Sequence, residues 1–492
     1  MQGRTLTKVF AIVVVALLLV LSVFLIFRHK EEAKFYPLEF IKYPTSTNPV
    51  ILTAGNSFEI KVNSTPLVLG WNVSLYAKYQ KVSALLQSEK YDNKSKLWKL
   101  VAKVPENAIT SLYNLSVRAK TKEGELEFVQ PRAVQVIDSF PENFSFVHIT
   151  DIHIGKLGYN TIESFEQAIN EINLINPSFV IITGDITDHD SEEEYATFYL
   201  LLQKFTVPTF VCVGNHDVYS SILKKREGQT YEKYIGDLNY TFRFGKYHFI
   251  VVNDVLSDYN GDGVCEDGEI SEEQIEWIEN YLRFYNGSGA KFLMMMHVPM
   301  FKPPEFGSQV LEPARSILLR LIGDYKVLGV FAGHHHRDYV VTYEGCKFIN
   351  TVTVGAELGS GAKYCGYRIV YVREGKIYKY NYDNLSDQDT SNSMPAGKIH
   401  YFFSPNNDGT SENVTLKIVS ELSEAVENSK ASFVLKKPFK TYEIKMTASD
   451  GVNPRIIQSF ESDDHSKIIV EVALNVPKDQ TTIVSVAISS KS

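Results

Sequence analysis

Five short segments of the chain carry side chains able to grip metal ions: DIH with Asp151 and His153, GD with Asp185, GNHD with Asn215 and His216, a lone His297, and GHHH with His334, His335 and His336. Taken singly, an Asp-x-His or Gly-Asp pair is a cap or a turn, and GNHD is a Gly-Asn turn. The ordered set is different, because an apolar run precedes each member: FVHIT, FVIIT, FVCV, FLMMM and VLGVFA. Carboxylate, amide and imidazole donors without a thiolate suit two divalent transition metals such as Mn, Fe, Zn or Co, and do not select among them.

Residues this far apart in sequence meet only if the fold gathers strand ends. In an open α/β sheet the carboxyl ends of neighbouring strands converge on one crevice, which is where a ligand after each apolar run belongs. The connections agree with this. Asn160 followed by Glu163 reads as a capping box, Ile162, Phe165, Ile169, Ile172 and Ile175 recur at helical spacing, and Pro177 stops the helix. A second helical segment, SEEEYATFYLLLQKF, leads into PTFVCV, so parallel strands with right-handed crossovers are expected.

With these segments in this order, the chain resembles the calcineurin-like metallophosphoesterase superfamily over roughly residues 143 to 381. Within it, the stretch from DIHIG to GNHD is most similar to class III cyclic-nucleotide and glycerophosphodiester phosphodiesterases. The resemblance implies an α/β/β/α sandwich. It also implies one metal held by Asp151, His153, Asp185 and His336 and a second by Asp185, Asn215, His297 and His334, with Asp185 bridging. His216 takes the place of the general acid and Asp188 that of the carboxylate orienting it. Two cations so placed polarise a phosphoryl oxygen and activate a shared water, which is what phosphoester hydrolysis needs. Side chains two apart in extended backbone share a side, so His334 and His336 are expected to face the metals and His335 to point elsewhere. His189 and Asp190 read as solvated loop.

The remainder of the chain sets the context. At 492 residues, 44% hydrophobic and 22% charged, it has room for about three domains. A formal net charge of -8 disfavours a nucleic-acid groove as the main surface. Residues 9–27 form an apolar run long enough to cross a bilayer, and no small-x-small cleavage site follows, so 1–34 reads as a tail with an uncleaved membrane anchor. Basic residues flank the run on both sides and leave its orientation undecided. Sequons at Asn63, Asn72, Asn93, Asn114, Asn143, Asn239, Asn286, Asn384 and Asn413 favour a single-pass protein with its body outside the cell and glycosylated. That compartment would permit a bridge between Cys346 and Cys365, whereas Cys212 reads as a core residue.

A second metal motif, DYNGDGVCEDGE, places Asp258, Asn260, Asp262, Val264 (by its carbonyl) and Glu269 at the ligand positions of a calcium loop, without a full EF-hand because the entering segment FIVVNDVL reads as a strand. Its expected role is structural. Alternating runs such as WNVSLYAKY and KLWKLVAKV predict a β-sandwich-like domain over 35–139. The catalytic domain is expected over 140–383, a polar linker over 384–397, and a second β-sandwich-like domain over 398–492. The sequence therefore predicts a membrane-tethered dinuclear phosphoester hydrolase, with a phosphodiesterase favoured. The competing readings are a nuclease or nucleotide pyrophosphatase on the same metals, and a non-catalytic surface binding protein that retains them. The sequence names no protein partner.

Overall fold

Strands too short to stand alone dominate the computed structural model, which describes residues 38–220, 225–226, 228–255, 267–304, 308–382 and 392–491. At its centre two mixed sheets lie face to face. In the first, Phe144–Ile149 is flanked on one side by the parallel strands Val180–Thr183 and Thr209–Cys212, and on the other by the antiparallel strand Gly366–Arg373. In the second, Tyr247–Val251, Lys291–Met295, Gly329–Ala332 and Cys346–Asn350 run parallel in that order, and antiparallel hairpin strands close both edges.

Alternation along these strands sends one set of side chains into the space between the sheets, and that set is rich in aromatic rings among aliphatic side chains. Phe146 stacks on Phe179 with centroids 5.2 Å apart, and Phe179, Phe210, Phe242, Phe244, Phe249 and Phe331 complete one apolar cluster. Rings of this size fill the gap at a low count of residues and lock the sheets in register. The outer face of the second sheet packs Met294, Met296 and Ile250 against Ile278 and Leu282 of the helix Glu272–Tyr285, and against Leu318 and Leu321 of the helix Ala314–Asp324. The helices Thr161–Ile175 and Glu192–Leu202, which meet through Phe165 and Phe198, connect the parallel strands of the first sheet. The layers are thus α/β/β/α.

Two local expectations need correction. Asn160 precedes the first helix but makes no side-chain cap bond, and Ile162 is exposed rather than part of the buried stripe; Phe165, Ile169, Ile172 and Ile175 are buried. The helix ends at Asn176, whose left-handed backbone (φ 55°) turns the chain before Pro177. Reciprocal capping boxes occur instead at Ser191 with Glu194 and at Ser271 with Gln274.

Strands between Ile41 and Ile137 pair into an eight-stranded array, and it is joined to the catalytic layers by polar side chains. Buried Arg132 donates to the carbonyls of Phe205 (3.0 Å) and Val207 (2.6 Å), just ahead of the Thr209–Cys212 strand. After the catalytic layers, strands between Ile399 and Ser490 form a four-stranded and a three-stranded sheet, and buried Glu171 ties them in by accepting the Ile399 N–H at 2.7 Å. Met394–Pro395, expected within the linker, pairs with Gly366–Tyr367. Cys212 is buried, and Cys346 and Cys365 are both free, so no bridge joins them. The apolar run at 9–27 lies outside the described residues, among which no helix is long and apolar enough to cross a membrane. Asp258, Asn260, Asp262 and Val264 also lie outside them; Glu269 is described and buried, its N–H on the Asp254 carbonyl.

Candidate metal centre

The loops that leave the parallel strands bend sharply to meet one another. Asp151, His153, Asp185, His334 and His336 all have left-handed backbones, with φ between 51° and 70°. That conformation is uncommon outside glycine, although Asp and His tolerate it better than most residues. Strain of this kind persists only where surrounding bonds over-determine it. Those bonds are present: the Asp151 N–H donates to the Gly184 carbonyl (3.1 Å), the His153 N–H to the Asp185 carbonyl (2.9 Å), and the Gly333 N–H to the His297 carbonyl (3.0 Å).

Three donor groups result, one of them His153, Asp188 and His216 and the other two sharing a residue. Asp151, His153, Asp185 and His336 bring ligand atoms within 4.8 Å of one another, and so do Asp185, His297 and His334. Asp185 belongs to both. Asn215 completes the second group, its Oδ1 lying 2.8 Å from His297 Nε2 and 3.1 Å from His334 Nδ1. Asp151, His153, Asp185 and His297 are almost wholly buried, while Asn215 and His334 are partly open to a cavity of about 260 Å³.

Hydrogen bonds fix which imidazole nitrogen is free. A carbonyl only accepts, so His297 carries its proton on Nδ1, 2.8 Å from the Thr183 carbonyl, and His336 on Nδ1, 2.7 Å from the Glu357 carbonyl. His153 Nδ1 donates to Asp188 Oδ1 at 3.0 Å. The Nε2 atoms of His153 and His336 then face each other at 3.1 Å. Two lone pairs meet there unless a proton or cation lies between them, so the donor set fits a metal. The electrostatics agree. Burial alone would raise the Asp151 carboxyl, but the adjacent His336 pulls it down to about 2. Burial would equally lower His297 and His336, yet Asp185 and Asp151 respectively hold them up at about 10 and about 9. Anionic carboxylates this deep demand positive charge, which divalent cations supply in place of protons.

The other expected residues fall as follows. His216 is partly exposed on the cavity wall, and its Nδ1 donates to the main-chain carbonyl of Asp188 at 3.0 Å. The Asp188 carboxylate was expected to orient His216 but lies 3.7 Å from that nitrogen, because it is occupied by His153 and by Lys156 at 3.2 Å. His335 does point away, toward the Tyr339 hydroxyl (2.8 Å) and the Ser308 carbonyl (3.1 Å). The reason is not extended backbone, since His334 and His336 are both left-handed. Asp190 is half-buried rather than solvated, and burial pushes its carboxyl up to about 6.

Two buried carboxylates went unassigned in the sequence. Asp217 accepts the Gly214 N–H (2.8 Å) and the Thr187 N–H (2.9 Å), which knots the GNHD loop to the GD loop. Asp254 accepts the main-chain N–H groups of His297 (3.1 Å) and Val298 (2.8 Å), which fixes the loop carrying that ligand. A signal for Asp254 existed: FIVVND is a further apolar run ending in a carboxylate.

Comparison with known proteins agrees with this geometry. The family model for calcineurin-like phosphoesterases matches residues 144–338. A probable glycerophosphodiester phosphodiesterase of Arcobacter nitrofigilis is 32% identical over 202 residues, covering 39% of this chain and 71% of that protein. A probable cyclic nucleotide phosphodiesterase of Coxiella burnetii is 27% identical over 206 residues, covering 41% and 79%. A serine/threonine-protein phosphatase of Homo sapiens is 23% identical over 249 residues, covering 46% and 76%.

Proposed function

Because the chain belongs to the calcineurin-like phosphoesterase family and is a hydrolase, we propose that it is a phosphodiesterase that works through two divalent cations held side by side. The observation that carries this reading is the pair of buried donor clusters sharing Asp185. In it Asp151, His153, Asp185 and His336 hold one cation, and Asp185, Asn215, His297 and His334 the other. When bound, such a pair polarises a phosphoryl oxygen and lowers the pKa of a shared water.

The chain's own groups supply the rest. With the Nδ1–H committed to the Asp188 carbonyl, His216 acts as an acid only as the imidazolium, whose second proton, on Nε2, passes to the departing alkoxide, a role worth about 10² to 10⁴ in rate. The Asp188 carboxylate holds His153 in the tautomer that frees Nε2 for a metal. Diesters are favoured over monoesters because the two relatives of highest identity reported above are named as phosphodiesterases. The human relative is named as a protein phosphatase and keeps the monoester reading in the experiment.

The same reading takes residues 9–27 as a single membrane span with the catalytic body outside the cell, supported by the length of the apolar run and the sequons. It also keeps one calcium ion in the loop that ends at Glu269, and flanking β modules over 35–139 and 398–492. The test is a phosphoester screen on the full chain, with elemental analysis of the same sample. The probes are a diester reporter, a monoester reporter, a nucleoside diphosphate conjugate and single-stranded DNA. Dominant diester turnover with two metals per chain supports the proposal. Retained metals without turnover of any probe would favour the binding-protein reading.

A further inference from the structure

Lys156 stands three residues past His153 and turns back onto it: its N–H donates to the His153 carbonyl at 3.0 Å, and Gly155 allows the turn with φ +100°. Its Nζ lies between two carboxylates from different loops, Asp188 Oδ1 at 3.2 Å and Glu357 Oε1 at 2.9 Å. Each of these two residues orients an imidazole of the same cation site. Asp188 Oδ1 accepts the His153 Nδ1–H at 3.0 Å, and the Glu357 carbonyl accepts the His336 Nδ1–H at 2.7 Å. One ammonium thus joins the outer supports of both histidines whose Nε2 atoms face each other at 3.1 Å.

Burial differs between the two contacts. The Lys156 and Asp188 side chains are 23% and 8% exposed, so their ion pair is screened less than one on the surface, while Glu357, at 40%, anchors the far end. The same ammonium answers the charge of the third donor group, in which His153 and His216 both already donate from Nδ1, to Asp188 Oδ1 and to the Asp188 carbonyl. That group is therefore a brace for the centre rather than a third cation site. In the neighbouring site His297 is oriented by the Thr183 carbonyl (2.8 Å), a bond in which Lys156 has no part.

We propose that Lys156 is a positioning residue for the cation held by Asp151, His153, Asp185 and His336, an inference that rests on the two-cation reading given above. By holding Asp188 and Glu357 together it keeps two imidazoles aimed at one point before a metal arrives, and so raises the affinity of that cation and not of its partner. Outer groups that orient metal-bound histidines are worth about 10- to 100-fold in metal affinity. Charge alone argues the other way, because an ammonium near a cation repels it and its removal would tighten binding. Orientation and repulsion predict opposite signs, so the direction of the change decides between them.

The test titrates the metal-free full chain with manganese alone, by calorimetry and by electron paramagnetic resonance, as wild type, Lys156→Met, Lys156→Arg and Glu357→Gln. Lys204→Met is the control, since it breaks an exposed ion pair with Glu166. Wild type should take up two equivalents. Lys156→Met should bind one of them about 10- to 100-fold more weakly and the other within about threefold of wild type. At a manganese concentration that fills both wild-type sites, its spectrum should show isolated ions where the wild type shows a coupled pair. Lys156→Arg, which keeps the charge and can span two carboxylates, should recover most of the affinity. Glu357→Gln should weaken the same equivalent, and adding Lys156→Met to it should cost less than the two single losses combined, because both break one contact. Unchanged or tighter binding in Lys156→Met, equal loss of both equivalents, or the same loss in Lys204→Met would overturn the proposal while leaving the two-cation reading in place. A wild type that takes up no manganese would overturn that reading, and this proposal with it.

Discussion

Gly184 sits where the two half-sites touch, and replacing it by alanine tests the metal centre through a single methyl group. A Cβ there would lie 2.7 Å from Gly214 Cα, Gly214 N and His297 Nδ1, whereas ordinary contact begins at 3.4 Å, so the neighbours must yield by about 0.7 Å. Two of those atoms belong to the backbone leading into Asn215, and the third to the ring of another donor. Displacement of order 1 Å at a catalytic constellation costs about 10²-fold in rate. Gly184 also has φ +91°, which adds backbone strain of roughly 1–2 kcal/mol for any other L-residue. That second effect must be separated, and Gly287→Ala does so: its φ is +85°, and nothing lies within 4 Å of the added atom. Both variants should lose comparable stability in chemical denaturation, with Gly184→Ala somewhat worse. Only Gly184→Ala should lose metal by elemental analysis and drop kcat by about 10² or more. The reasoning fails if Gly184→Ala keeps wild-type metal content and turnover, or if Gly287→Ala loses activity to the same degree.

Replacing Asp185 should strip both metals, because both clusters contain it, whereas His216→Ala should keep metal content and lose about 10² to 10⁴ in turnover; stoichiometric metal loss in His216→Ala would refute the division of roles. Asp254→Ala leaves the buried N–H groups of His297 and Val298 without an acceptor and should cost about 2–5 kcal/mol in unfolding free energy, measured by urea titration, with Asp254→Asn losing clearly less. Buried His148 sits between the hydroxyls of Thr183 and Thr351, and burial lowers its pKa to about 3. The folded value is below the unfolded one, so the neutral ring's contribution is present above about pH 6.5 and is lost as pH falls toward 3, by up to about 1.4 kcal/mol per unit. Denaturation midpoints between pH 4 and 7 should show that slope, and His148→Gln should flatten it.

What could be read in the sequence was whatever a local pattern encodes. An apolar run followed by a donor marks a strand end, and that rule picked out the five segments DIH, GD, GNHD, His297 and GHHH, whereas the assignment of particular donors within them as ligands came from the resemblance to calcineurin-like metallophosphoesterases. The rule says nothing of bonds between loops. Asp188 stands three residues past Asp185, but its carboxylate goes to His153 on a neighbouring loop, and only the fold sets that distance. Glu357 and Lys156 are separated by most of the catalytic layers and meet through the same convergence. Asn160 failed as a cap for a related reason: composition offered a capping box, while the backbone entering the helix chose another geometry.

The strained backbones explain why the outer carboxylates are as necessary as the ligands. Five donors in left-handed conformations would each relax if their loops were free, at a gain of order 1–3 kcal/mol apiece. What prevents this is acceptor chemistry at fixed points: Asp217 pins GNHD to the GD loop, Asp254 pins the His297 loop, and Asp151 accepts the His334 N–H at 3.0 Å. Burial raises the carboxyls of Asp217 and Asp254, to about 8 and about 7, while both oxygens of each accept main-chain N–H groups, which offsets part of the cost of burying them. Asp151 and Asp185 stay ionised in the same interior because imidazoles face them. One fold thus sorts its buried carboxylates into two kinds: those that meet amide N–H and hydroxyl groups brace the loops, and those that also meet imidazoles are left with the charge that draws in a cation.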